Sequence, residues 1–162
     1  MENRTINISY QLFASKEELS EENAMLISKA EEALENAYAV YSKFHVGAAL
    51  LLDNGEVVTG NNQENIAYPS SLCAERVALY YCKAHYPDAV VKKIAIMAKS
   101  EEGDLLEVIS PCGGCRQVMS EYERVQKEDM QVILKGERDS IMVFDSVKDL
   151  LPLSFNTKVL GA

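Results

Sequence analysis

Three of the four cysteines in this 162-residue chain fall in two short stretches, Cys73-Ala74-Glu75-Arg76 and Pro111-Cys112-Gly113-Gly114-Cys115-Arg116. This spacing is the strongest constraint on the fold. Cys-x-x-Cys places two thiols one helical turn apart on one face, close enough to share a metal ion. A third thiol from a distant segment completes three of four tetrahedral positions and leaves one open, as catalytic zinc sites do. The fold must then bring two remote helix starts together. Glu75, the only acid inside either stretch, lies two residues from the third thiol and can handle protons for a bound water.

Other readings compete with this one. Cys112 and Cys115 also fit a redox dithiol, or half of a four-cysteine zinc site completed by Cys82. Cys82 follows Cys73 by nine residues, about half a turn out of phase on one helix. It therefore faces away, as a small core hydrophobe would. On ideal helical geometry Cys73 and Glu75 diverge by about 200°, so both reach one site only if it sits ahead of the helix N-terminus. Two helix N-termini aimed at a metal would also lower the thiol pKa values. Arg76, three residues after Cys73, shares its face and can draw charge from thiolate sulfurs. An ordinary surface ion pair is the competing role for Arg76.

The bulk composition narrows the function classes. With 48% hydrophobic and 25% charged residues, the chain is expected to form one soluble domain with a full core. A net charge of −9, with Lys92-Lys93 as the only basic pair, disfavours a nucleic-acid partner and leaves a small uncharged substrate unpenalised. No apolar run reaches membrane-spanning length, and Met1-Glu2-Asn3-Arg4-Thr5 holds no signal-peptide core. The expected setting is cytoplasmic, without a membrane partner.

Along the chain, Ile6, Ile8, Tyr10 and Leu12 alternate, which predicts an N-terminal strand or extended arm. Ser15-Lys16-Glu17-Glu18 reads as a capping box. An apolar stripe of Leu26, Ala30, Ala33, Leu34 and Ala37 predicts a helix from Glu21 to about Tyr38. Val46–Leu52 and Glu56–Gly60 read as a hairpin about Asn54-Gly55. A polar cluster (residues 61–65) and a loop through Pro69-Ser70-Ser71 lead to a helix from Cys73 to His85, stopped by Pro87. Lys93–Lys99 has the unbroken apolar character of a central strand, and Glu101–Leu106 reads as a turn. A helix from Cys112 to about Lys127, strands at Gln131–Leu134 and Ile141–Phe144, and a short helix capped by Ser146 complete the series. This alternation predicts a three-layer α/β/α domain. Residues 1–20 are expected to be an N-terminal extension, and residues 21–162 a single catalytic domain.

The two cysteine stretches together resemble the zinc-dependent cytidine deaminases, in the three-cysteine branch that acts on free nucleosides. Tyr41-Ser42-Lys43-Phe44, Val46-Gly47-Ala48, Gly60-Asn61-Asn62-Gln63-Glu64-Asn65, Cys115-Arg116-Gln117 and Leu150-Leu151-Pro152 extend the resemblance, in the family's order. It implies a mixed five-stranded sheet, with Zn2+ held by Cys73, Cys112 and Cys115 and Glu75 as the proton carrier. It further implies hydrolysis of cytidine, and of 2′-deoxycytidine, to the uridine nucleoside and ammonia in pyrimidine salvage. Asn62 and Glu64 would take the ribose 3′-hydroxyl, Phe44 would line the pyrimidine pocket, Ala74 would also bind substrate, and Arg76 would sit behind the thiolates. Phe155 would reach a neighbour's site in a homotetramer, although Phe44 and Phe155 also fit as plain core aromatics. A deaminase for a modified cytosine nucleoside of the blasticidin type, or a non-catalytic zinc-binding subunit, would share the cysteine motif.

Overall fold

In the computed structural model, which describes residues 1–103, 107–138 and 140–156, one mixed sheet carries helices on both faces. Its strands are β1 (Gln11–Phe13), β2 (Phe44–Leu52), β3 (Val57–Asn61), β4 (Val91–Ser100), β5 (Gln131–Lys135) and β6 (Ile141–Phe144). They lie in the order β1-β6-β5-β4-β2-β3, and only the β4–β5 pair is parallel. Helix α1 (Glu21–Leu34) covers one face, while α2 (Ala74–His85) and α3 (Gly113–Gln126) cover the other. The expected three layers are present. No helix among the described residues is long and apolar enough to cross a membrane.

Period-two alternation in the central strands divides the core. Ala48 and Leu50 of β2 join Ile94, Leu134, Leu79 and Met119 beneath α2 and α3. Their neighbours Ala49 and Leu51 join Ala95, Ile133, Leu26 and Ala30 beneath α1. Each Leu or Ile buried this way contributes about 1.5–3 kcal/mol relative to exposure. β4 is buried from Ile94 through Ala98, in keeping with its unbroken apolar run.

Two glycines set how closely the helices approach. A Cβ at Gly47 would lie 1.9 Å from the Ala30 carbonyl oxygen of α1. One at Gly60 would lie 2.6 Å from the Ala78 amide and 2.9 Å from the Ala74 carbonyl of α2. Only hydrogen fits at either position. Gly60 therefore fixes the distance between β3 and the helix that begins at Cys73.

The structure departs from the sequence expectations at identifiable points. The sheet has six strands where five were implied, because the N-terminal arm adds β1 antiparallel to β6. β1 is short because β6 offers only four residues; beyond it Tyr10 rests on the Phe144 ring, centroids 5.4 Å apart, and Ile6 and Ile8 are exposed. Ser15 makes no side-chain cap and precedes only a 3₁₀ turn, Lys16–Glu18. The functioning cap of α1 is Ser20, which accepts from the Asn23 amide.

Helix α1 stops at Leu34, short of Tyr38. Asn61 donates to the Ala33 carbonyl, and Tyr38 is drawn into backbone bonds with Asn62 and Glu64. At the hairpin, Gly55 has positive φ (85°) and Asn54 does not. The Leu52 carbonyl accepts from the Gly55 amide while the Leu52 amide donates to Glu56, giving a wider turn than two residues. Val147–Asp149 is a 3₁₀ turn capped by Ser146. The turn expected over 101–106 lies partly outside the described residues.

Candidate active site

The two cysteine stretches meet at the N-termini of α2 and α3. Cys73 caps α2 and Cys112 caps α3, each with extended backbone (φ −72°, ψ 154° and φ −64°, ψ 163°). Cys115 is in the first turn of α3 and fully buried. Because Cys73 stands outside the helix, the 200° divergence of an ideal helix does not separate it from Glu75. Both line one cavity of about 530 Å³, a typical size for a small-molecule site.

The three sulfurs lie within 4.8 Å of one another, with Cys73 Sγ–Cys112 Sγ at 4.0 Å and Cys112 Sγ–Cys115 Sγ at 3.5 Å. Zn–S bonds of about 2.3 Å at tetrahedral angles require sulfurs about 3.8 Å apart. A disulfide requires about 2.05 Å, and all four cysteines are free. The donor set therefore fits zinc. Among the described residues this is the one group of three or more such side chains placed to hold a metal. Cys82 is fully buried in the core cluster under α2 and α3 and takes no part, which removes the four-cysteine reading.

Electrostatics at the site follow from burial and proximity. A hydrogen bond from the Cys115 thiol, aided by Arg76 and opposed by burial, draws the Cys73 thiol down to about 5. The same hydrogen bond, with burial and the nearby Glu75 carboxylate, pushes Cys115 up. Binding a metal through three thiolates requires that the remaining thiol protons be released. Arg76 Nη2 donates to Cys73 Sγ at 3.6 Å.

Glu75 is 4% exposed, and its Oε2 has no hydrogen-bond partner among the described residues. Burial first, and then the Cys73 thiolate, hold its carboxyl above the ordinary carboxylate range against the pull of its own amide. A buried acceptor without a partner costs about 1–3 kcal/mol. Such a cost persists where the group has a ligand to meet.

Phe44, Asn62 and Glu64 line the same cavity. Asn62 Oδ1 accepts from the Val46 amide (2.8 Å), and its Nδ2 donates to the Phe44 carbonyl (2.9 Å). The side chain thus locks β2 and keeps one N–H free of these bonds. Glu64 Oε2 accepts from the amides of Tyr41 (2.8 Å) and Ser42 (3.2 Å). Desolvation raises the Glu64 pKa, but the Ser42 hydroxyl and the two amides outweigh it and hold it below its usual value. Lys43 adopts a left-handed conformation (φ 56°), and this turn aims Ser42 and Phe44 into the cavity.

Two expected residues sit elsewhere. Ala74 is fully buried at the first position of α2, and its side chain belongs to the core. Its amide is among the first-turn N–H groups that a helix leaves without an intrahelical partner. Phe155 is 68% exposed and does not line the cavity of its own chain. Sequence reasoning gave no separate role to Tyr68, which lines the cavity mouth edge-on to Tyr41 with centroids 6.3 Å apart. It also missed Ile96, Ala98 and Pro111, whose side chains only tertiary packing places on the wall.

Residues 20–128 match the model of the cytidine and deoxycytidylate deaminase zinc-binding region. The chain belongs to this family. Similar proteins include the cytidine deaminase of Halalkalibacterium halodurans, 40% identical over 134 residues (83% of this chain and 94% of the relative). The cytidine deaminase of Sporosarcina psychrophila is 38% identical over 138 residues, 84% of this chain and 93% of its own. Among solved structures, the cytidine deaminase of Burkholderia pseudomallei superposes with a TM-score of 0.72 at 37% identity, covering 85% of this chain and all of that one. The Blasticidin-S deaminase of Bacillus cereus is more distant, 27% identical over 85% of this chain and 94% of its own. Family membership and the sulfur geometry agree on zinc as the cofactor.

Proposed function

We propose that this chain hydrolyses cytidine, and 2′-deoxycytidine, to the corresponding uridine nucleoside and ammonia, in pyrimidine salvage. The observation that carries the reading is the buried, unpartnered Glu75 carboxylate oxygen in the cavity lined by Cys73 and Cys112, whose sulfurs form a zinc-binding group with that of Cys115. In the reaction a C4–O bond forms from water, the C4–N bond breaks, and the amine departs as ammonia. Cys73, Cys112 and Cys115 would hold a zinc ion, which would supply Lewis-acid activation of water, lowering its pKa from about 15.7 towards neutrality.

Glu75 takes one proton from the water and passes it to N3 of the ring, then takes the second from the new C4 hydroxyl and passes it to the leaving amine as the C4–N bond breaks. Its burial suits this work, since desolvation raises the carboxyl pKa and so makes the carboxylate a better proton acceptor. Arg76, donating to Cys73 Sγ, would withdraw part of the negative charge that three thiolates bring to a bound metal. Asn62, with its remaining N–H, and Glu64 receive the ribose 3′-hydroxyl, and Phe44 lies against the base. An ionised Glu64 in a chain of net charge −9 also repels a phosphate on the substrate, favouring nucleosides over nucleotides.

The exposed position of Phe155, outside its own cavity, supports the reading that it serves a neighbouring subunit in a homotetramer. The setting is cytoplasmic, and residues 1–20 extend the catalytic domain, consistent with a family match that begins at residue 20.

The test is ultraviolet absorbance with cytidine, deoxycytidine, cytosine, CMP and blasticidin S, run on the wild type and on Glu75→Gln with zinc content measured on both. Deamination of the two nucleosides is expected, with turnover lowered about 10²–10⁴-fold in a zinc-loaded Glu75→Gln. Preference for blasticidin S would replace the substrate. No ammonia from any of the five would leave a zinc-binding subunit without catalysis.

A further inference from the structure

The Cys115-Arg116-Gln117 run is only partly absorbed by the metal site, since Cys115 alone faces the sulfurs. The two side chains that follow both bind the C-terminal segment. Arg116 donates through Nε to the Pro111 carbonyl (2.8 Å) and through Nη1 to the Leu150 carbonyl (3.1 Å). Gln117 donates from Nε2 to the Phe155 carbonyl (2.8 Å) and accepts at Oε1 from the Phe155 amide (3.3 Å). Its amide thus engages both backbone groups of one residue, as a neighbouring strand would.

We infer that Gln117 is a positioning residue for Phe155. It fixes the backbone that carries the exposed ring to the same helix that carries Cys112 and Cys115. The inference rests on the reading that Phe155 contributes to substrate binding. It goes further in saying what aims the ring. Phe155 is 68% exposed, and Leu153 beside it is 82% exposed, so packing within the chain does little to hold this segment. The two bonds from Gln117 and the one from Arg116 to Leu150 supply that hold. Because Arg116 also grips Pro111, the residue before Cys112 and part of the cavity wall, tail and metal loop share one anchor. An untethered ring spends less time in its binding position, a loss that falls on KM more than on kcat.

The experiment is a double-mutant cycle on the full-length, zinc-loaded enzyme with cytidine, comparing Gln117→Ala, Phe155→Ala and the pair. Zinc content and Tm are read alongside, and Gln117→Glu is included. Aromatic stacking is worth about 2- to 12-fold, so Phe155→Ala should lower kcat/KM by that much. Gln117→Ala should give a smaller loss through KM, with normal zinc content. In the Phe155→Ala background it should cost nothing further. Gln117→Glu, which keeps the acceptor but turns an acceptor towards the Phe155 carbonyl, should behave like Gln117→Ala. Additive losses, or a loss expressed in kcat with zinc depleted, would place Gln117 in the support of the metal loop and overturn the inference. A silent Gln117→Ala beside a damaging Phe155→Ala would also overturn it while leaving the role of Phe155 intact. A silent Phe155→Ala would remove that role itself, and the inference with it.

Discussion

Replacing Gly60 with alanine tests whether helix–sheet spacing governs the chemistry. The added Cβ would stand 2.6 Å from the Ala78 amide nitrogen, 2.9 Å from the Ala74 carbonyl oxygen and 3.0 Å from the Ala78 Cβ. Ordinary contact begins near 3.4 Å, so α2 must retreat from β3 by roughly 0.8 Å, and the obstacles are backbone atoms that cannot rotate away. Overpacking of this kind costs about 1–3 kcal/mol. The same shift reaches the site. Cys73 and Glu75 travel with the N-terminus of α2, while Cys112 and Cys115 stay on α3. Metal–ligand distances tolerate only about 0.2 Å, and a misplacement near 1 Å costs about 10²-fold in rate.

Gly60→Ala should therefore fold with a lowered Tm, bind zinc more weakly and lose on the order of 10²-fold in turnover. The assays are thermal unfolding, competition for zinc with a chelator, and cytidine deamination. Gly114→Ala is the control, because its Cβ would meet only Cys112 Sγ at 3.9 Å and its helical position favours alanine over glycine by about 0.5–1 kcal/mol. A Gly60→Ala protein with wild-type Tm, zinc affinity and turnover would refute the claim that this contact sets the site.

Cys73→Ala, Cys112→Ala and Cys115→Ala should each lose zinc by metal analysis, whereas Cys82→Ala keeps it; metal lost from Cys82→Ala alone would reverse the ligand assignment. Glu64→Ala removes the acceptor for the Tyr41 and Ser42 amides and should impair cytidine far more than a 3′-deoxy analogue, in keeping with about 1–3 kcal/mol for an unpaired hydroxyl. Equal kinetic losses on both substrates would mean that Glu64 serves the 41–43 turn alone. Coexpressed, differently tagged Phe155→Ala and Glu75→Gln chains should form hybrids more active than either parent if Phe155 reaches a neighbour's cavity. Hybrids no better than their parents, each folded and zinc-loaded, would keep Phe155 within its own chain.

Local chemistry made much of this protein legible. Cys-x-x-Cys and the distant Cys73 announced a shared metal because two thiols three residues apart can reach one ion, although Cys112 does so as the cap of α3 and not from within the helix. The unbroken apolar run in β4, the alternation in β2 and the stripe on α1 were equally plain, since periodicity is a property of the backbone. The end of α1 was not plain. It is decided by Asn61, a residue 28 positions away that captures the Ala33 carbonyl. The extent of β1 likewise depends on where β6 runs out.

At the site, the sequence determined which atoms are present, and tertiary structure decided which of them are available. Asn62 and Glu64 alternate in a way that suits a sugar. Only the folded chain shows that Asn62 has already committed its oxygen to Val46, and Glu64 one oxygen to the 41–42 amides. Cys73 and Glu75 look divergent on a helical wheel, yet they converge because Cys73 caps the helix with extended backbone. Convergence of two helix N-termini, burial of Glu75 and exposure of Phe155 all depend on long-range packing. No local preference encodes them, because each is set by what another segment brings within a few ångströms.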